Sequence, residues 1–434
     1  MAKHSKYFAL LAILSLGAVC FTSCEDEDNE ELMGNWVDSR TAFAGSERGG
    51  AVCFTIDNVA YIGTGANTIN PENRDRYTDF FTCRPVLGQG NGTIAYSAPG
   101  AIAPMPKYNK DGVTSARNGA VAFALNGKGY VGTGYNGITY LKDFWEFDPE
   151  RQKSFDALEY KNASDAKKRE IEASDNYPWK QVKDYEGDTC RYAVAFVIPG
   201  TSVMSDGTIA QNTKSGKDLA FVGTGEDCIS IKKSDFYSFD GENWESVTSI
   251  GEPRAQAAAF VAEGYNAEGK LQLYGYVAGG IASKPVIGFQ RYNAMTNEWE
   301  HLNDLADQTI GSFDDDYRNL AISGSTSFVV NGRDPYSQRA YLATGGPGTY
   351  GTYCWEYNPY YDYWIQKTSF EGTARRFAVS FVLQFPNPWH DGEQMEVPFV
   401  ATGTTGSLNS VGVEGNFFSD TWYFRPYESK EPLD

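Results

Sequence analysis

Six times this chain repeats one phrase: an aromatic residue, a branched aliphatic one, two small residues and a glycine. The copies are Tyr61-Ile62-Gly63-Thr64-Gly65, Tyr130-Val131-Gly132-Thr133-Gly134, Phe221-Val222-Gly223-Thr224-Gly225, Tyr276-Val277-Ala278-Gly279-Gly280, Tyr341-Leu342-Ala343-Thr344-Gly345 and Phe399-Val400-Ala401-Thr402-Gly403. A repeat at this period means that one structural unit is copied, and that a single copy cannot bury its own faces.

Each copy has company at fixed places. Upstream stands Arg-x-x-Ala-x-x-Phe or a near relative, beginning at Arg48, Arg117, Arg254, Arg318 and Arg375 (with Arg376 as the alternative) and slipping by one at Arg191. Downstream comes an aromatic run such as Asp143-Phe144-Trp145-Glu146-Phe147 or Asp235-Phe236-Tyr237-Ser238-Phe239, and then Trp179, Trp244, Trp299 or Trp364. Short β-branched and aromatic runs bounded by Gly, Asn and Pro read as strands. Four runs per repeat make a four-stranded antiparallel unit. The small residues of the first run suit the innermost strand of a ring, where units converge on an axis. The tryptophan supplies apolar area between neighbouring units.

The pattern resembles the kelch repeat of β-propellers over nearly the whole chain from Trp36 to Phe424. That resemblance implies an all-β fold, a six-bladed kelch-like β-propeller with four antiparallel strands per blade. The repeat spacing of about 65 residues exceeds the usual kelch period of about 50. Gly-Thr-Gly replaces the plain Gly-Gly in three of the copies, and the first repeat lacks its tryptophan. The sixth unit stops at Trp422-Tyr423-Phe424 without a fourth strand, while Gly34-Asn35-Trp36-Val37 is a fourth-strand phrase with no unit of its own. The N-terminal strand is therefore expected to close the last blade and remove the free sheet edge.

Residues 1–24 read as a targeting segment: Lys3 and Lys6 precede an apolar stretch from Tyr7 to Val19, too short to span a bilayer. Phe21-Thr22-Ser23-Cys24 resembles a lipobox with Cys24 as the lipidated residue, and Cys20 is the alternative. The tether 25–33 begins Glu25-Asp26-Glu27-Asp28, which resembles the acidic signal of Bacteroidota surface lipoproteins; residues 34–434 form the propeller. The expected address is the outer membrane, by a lipid anchor, with the body exposed at the cell surface. A formal net charge of −19 argues against nucleic acid, whose phosphates need clustered Lys and Arg.

Cys53, Cys83, Cys190, Cys228 and Cys354 remain in the mature body, without a CxxC pair to suggest zinc. Cys190 opens the first strand of the third unit and Cys228 lies just past its second, so the two are placed at one rim as a possible disulfide. Only His301 and His390 fall in the mature chain, which disfavours a histidine-rich metal site and copper oxidases of the galactose oxidase type. No GxSxG is present. Gly88-Gln89-Gly90-Asn91-Gly92 is too loose for a phosphate loop, and no motif asks for a cofactor.

The kelch-like arrangement puts the start of each first strand and the end of each second on one face. That face is expected to display Arg48, Arg117, Arg191, Arg254, Arg318 and Arg375 around the channel mouth, together with Asn67, Tyr135, Asn136, Glu226, Tyr350 and Thr404. Guanidiniums about 10 Å apart repel by about 0.4–1.7 kcal/mol per pair, so an acid must compensate. It is either internal, with Glu47, Glu226, Asp227 and Asp314-Asp315-Asp316 as candidates, or an anionic ligand held by paired guanidinium bonds. Arg151 to Tyr177 reads as a solvated charged helix on the opposite face, beside long hairpins at 198–217 and 384–396. Three functions fit: a non-catalytic binding module for a glycan or envelope protein, a structural subunit of an outer-membrane complex docking through the insertions, or an enzyme. The enzyme class comes from the resemblance, since some kelch propellers are sialate mutarotases whose substrate is a carboxylate sugar.

Overall fold

The computed structural model describes residues 32–68, 75–305, 322–346 and 351–428, apart from 333, 389, 391, 407 and 409–414. Cys24, Arg318, Tyr350 and Asp314 to Asp316 lie outside the described residues. Six antiparallel sheets carry the repeats in chain order. Blade two shows the plan: Val121–Leu125, Lys128–Gly132, Phe144–Phe147 and Trp179–Gln181 run from the axis outward. Each innermost strand touches the innermost strands of both neighbouring blades, so the six close into a ring.

Closure of the last blade comes from the N-terminus. Asn35–Asp38 pairs with Thr421–Arg425, placing Trp36 opposite Phe424 as Trp244 stands opposite Phe239. In blade one the tryptophan's place is taken by Tyr96, opposite Cys83, and its hydroxyl bonds Thr421 at 2.8 Å in blade six.

The core is six cores, one at each junction between blades; that between blades three and four, for example, joins Phe196 and Phe221 to Val277 and Tyr292. Within every blade the aromatic that opens the repeated phrase stacks on an aromatic of the first strand. Phe54–Tyr61, Phe123–Tyr130, Phe196–Phe221, Phe260–Tyr276, Phe328–Tyr341 and Phe381–Phe399 all have centroids 5.1–5.4 Å apart. The opposite side of each first strand lines the axial channel with Ala and Ser, and with Cys53 in blade one, around a cavity of about 260 Å³.

The insertion of blade two differs from expectation. It is three short helices, Pro149–Gln152, Ala157–Asn162 and Asp165–Glu172, and it is docked. Phe155, Tyr160 and Ile171 pack against the core between blades one and two. Tyr177 donates its hydroxyl to the Pro104 carbonyl at 2.7 Å, and Trp179 its indole N–H to Ala103 at 2.9 Å. The apolar contacts are spread over three helices and their connections, so no single helical stripe announced them.

The disulfide is also corrected: all five described cysteines are free thiols. Cys190 is buried in the core between blades two and three, while Cys228 is exposed in the turn after Glu226. Desolvation pushes the Cys190 thiol up to about 12. Iodoacetamide at neutral pH is expected to label Cys228 rapidly in the folded protein and to leave Cys53, Cys83, Cys190 and Cys354 unmodified until denaturant is added; peptide mass spectrometry reads the result.

Candidate binding face

Arginine, threonine and aspartate of one blade meet in a single node. Arg117 donates to the Thr133 carbonyl at 3.0 Å and makes two bonds of 2.9 Å to the Asp143 carboxylate. Thr133 has φ 60°, a conformation costly for a β-branched residue. The next residue, Gly134, has φ 97° and donates its N–H across the blade junction to the Cys190 carbonyl at 2.7 Å. The arginine thus ties the start of the first strand to the end of the second and the start of the third. Arg48 with Thr64 and Asp79, and Arg375 with Thr402 and Asp420, repeat the arrangement. In blade four Glu252 replaces the aspartate, which is absent at Gly288.

This revises the expected arginine ring. Arg48, Arg117 and Arg254 are fully buried and Arg375 is 2 % exposed, so none is displayed at the mouth. Their compensating acids are internal, and for these four they come from Asp79, Asp143, Glu252 and Asp420 rather than from the candidates first considered. Burial opposes ionisation of Asp143, but the Arg117 charge and bonds from Arg117, Trp145 and Asn109 outweigh it and lower its pKa. Asp235 fills the same place in blade three, where Cys190 stands at the arginine position; there desolvation dominates and the pKa is raised. In blade five the arginine position is occupied by Ile322, whose carbonyl accepts from Gly280 at 2.7 Å. Arg318 had been expected there, because Arg318-Asn319-Leu320-Ala321 imitates the motif four residues early.

Two residues beyond the arginine position of each blade, the backbone closes a second ring around the axis. Gly50, Gly119, Tyr192, Gln256, Gly324 and Phe377 all have φ between 56° and 69°. Each donates its N–H to the carbonyl of the preceding one, Phe377 preceding Gly50, at 2.7–3.0 Å. Tyr192 and Phe377, from opposite blades, stack across the axis at 5.0 Å and 16°, and with Leu408 and Phe417 they floor the channel mouth.

On this floor cations and rings alternate. Arg76 lies 4.8 Å from the Tyr135 ring; Arg191 lies 5.5 Å from Tyr135, 5.0 Å from Tyr140 and 4.8 Å from Tyr192; Arg376 lies 4.5 Å from Phe377. Arg191 is paired with Glu226, which also receives Lys232. Arg376 is different. Among the described residues its side chain makes one hydrogen bond, to the Gln256 side chain at 3.4 Å, and no ion pair, and its Nε is buried without a partner. Desolvation lowers its pKa, with Tyr192 acting in the opposite direction.

The remaining expected residues divide. Tyr135 belongs to the floor, its hydroxyl bonded to Gly137. Asn67 donates to the Glu47 carbonyl at 3.1 Å on the rim. Asn136 caps the turn at Ile138 and Thr139, and Thr404 is fully buried with its hydroxyl engaged by Asn416 and Gly406, so both side chains hold loops. Tyr140, Tyr192, Phe377 and Arg76 were missed. The doublet Arg375-Arg376 carried a signal, one arginine for the node and one in excess; Arg76 carried none, because its two-residue strand lies outside the repeat.

Fold and axis together define a six-bladed β-propeller. The chain is similar in fold to the solved structure of YjhT, with a TM-score of 0.51 at 12 % identity, over 88 % of this chain and 96 % of that one. No family model matches the chain, and no curated protein matches it.

Proposed function

We propose that this protein is a non-catalytic binding module, anchored in the outer membrane through lipidated Cys24, whose channel mouth holds an acidic group of a surface glycan or protein partner. The observation that supports this is Arg376, a half-buried guanidinium on the aromatic floor with no ion pair among the described residues. A desolvated cation in that position gains most from an incoming anion, since charge-assisted bonds to arginine are strong and directional. Tyr135 and Tyr140 add ring faces on which a sugar can stack. A glycan array with the detergent-solubilised protein tests the reading. Binding of acidic glycans is expected, and Arg376→Gln should weaken it about tenfold or more while leaving the melting temperature within a few degrees. Equal binding by both proteins, or none by either, sinks the proposal.

A further inference from the structure

Outside the mouth, a cleft lies between the helix Asp165–Glu172, the segment 105–116 and Arg76. It consists of two adjoining hollows of about 560 and 500 Å³ that share Tyr108, Arg169 and Glu172. Each hollow falls within the range of about 300–1,000 Å³ typical of small-molecule sites. The cleft exists because the insertion is docked. Glu172 accepts the Tyr160 hydroxyl at 2.6 Å with one oxygen and the Lys107 backbone N–H at 3.2 Å with the other, which fastens helix to segment and uses both carboxylate oxygens.

Its charge runs against that of the whole chain. Lys107, Lys168 and Arg169 line the first hollow, and none of them makes an ion pair among the described residues. Lys107 lies 5.6 Å from the Tyr108 ring and Lys168 lies 5.4 Å from the Tyr160 ring, so two of the charges rest on aromatic faces instead of on carboxylates. The acids of this hollow are Glu172, already engaged, and exposed Asp165, while the second hollow adds Asp175, paired with Lys180. In a protein of net charge −19, three adjacent unpaired cations in a hollow attract a small anion locally. The same overall charge repels a long polyanion, which disfavours nucleic acid. Tyr108, 43 % exposed and common to both hollows, offers a ring face, and Thr78 and Thr114 contribute hydroxyls.

We propose that this cleft is a second ligand site, adjoining the mouth at Arg76, which takes a short acidic oligosaccharide with its carboxylate or sulfate at Lys107, Lys168 and Arg169 and a sugar ring on Tyr108. The inference does not rest on Arg376 and stands or falls independently of it.

Calorimetric titration of the full-length protein in detergent, in the Arg376→Gln background that weakens the mouth, tests the cleft. The probes are an oligogalacturonate, a heparin-derived oligosaccharide, a neutral gluco-oligosaccharide and an oligoglutamate. At least one acidic sugar is expected to bind, the neutral one is not, and adding Lys168→Gln and Arg169→Gln should weaken binding about tenfold or more. Tyr108→Ala should weaken it as well while leaving its salt dependence in place. Which of the two acidic sugars binds more tightly distinguishes carboxylate from sulfate. Absence of binding by both acidic sugars, indifference to the double substitution, or equally tight binding of oligoglutamate would overturn the proposal, and none of these outcomes bears on the glycan-array result for the mouth. Neither Lys168 nor Arg169 is buried, so unchanged thermal unfolding serves as the folding control.

Discussion

Asp143→Ala is expected to destabilise the propeller by about 3–5 kcal/mol, the usual cost of removing one partner from a buried ion pair. Arg117 is fully buried and Asp143 is 4 % exposed, so the orphaned guanidinium would have little water to replace the lost carboxylate. Arg117→Met should cost a similar amount. The double variant Arg117→Met/Asp143→Ala should be markedly less unstable than the two single effects added together, since no charge is then left alone. Blade five supports that expectation, because it does without the pair and places Ile322 at the arginine position. Chemical denaturation of the four proteins measures the cycle; strict additivity would show that the node is not a charge pair in energetic terms.

The same node gives a pH dependence. The folded-state pKa of Asp143, and likewise that of Asp420, is lowered, since arginine outweighs burial at both. A lowered folded pKa contributes stability above the unfolded value, about 3.9, and that contribution is lost as pH falls through the folded pKa. The wild type should therefore lose stability below about pH 4 more steeply than Asp143→Ala.

Trp36→Ala is the second large effect, expected at about 3–5 kcal/mol. Trp36 is 2 % exposed, packs on Phe370 at 5.0 Å and Phe424 at 4.6 Å, and donates its indole N–H to Thr368 at 3.1 Å. The cavity alone would cost as much in any blade. Here the residue also holds the one strand that joins the two ends of the chain. Trp244→Ala, at the matching position of blade three, serves as the comparison. Limited proteolysis should cut Trp36→Ala in the exposed stretch following Asp38 before it cuts Trp244→Ala; equal susceptibility would mean that the closing strand does not depend on its tryptophan.

Much of this was legible because the propeller writes its constraints into every copy. The repeated phrase ending in glycine marks the end of each second strand, where backbone geometry admits few residues, and Trp36 marked the closure. The arginines were legible as a repeat and misleading as a site. Spacing places a side chain along a strand but does not tell whether it turns outward to the mouth or inward to an aspartate about 26 residues later, as Arg117 does to Asp143. Blade five was misregistered because its arginine is lost and a nearby Arg-Asn-Leu-Ala stood in for it; the better marker was Gly324, which keeps the left-handed backbone. The cleft and Arg76 depend on how an insertion docks on another segment, and no repeat records that.

The axial hydrogen-bond ring separates frame from decoration. All six of its members contribute backbone in the same way, yet three are glycines. A Cβ on Gly119 would come within 2.7 Å of the Tyr192 ring, and one on Gly324 within 3.0 Å of Phe377. The mouth thus has space for three side chains, those of Tyr192, Gln256 and Phe377, and their identities are not required by the ring that carries them. Exchanging these three would rewrite the floor of the mouth on an unaltered frame, so that one scaffold can present different floors to different ligands.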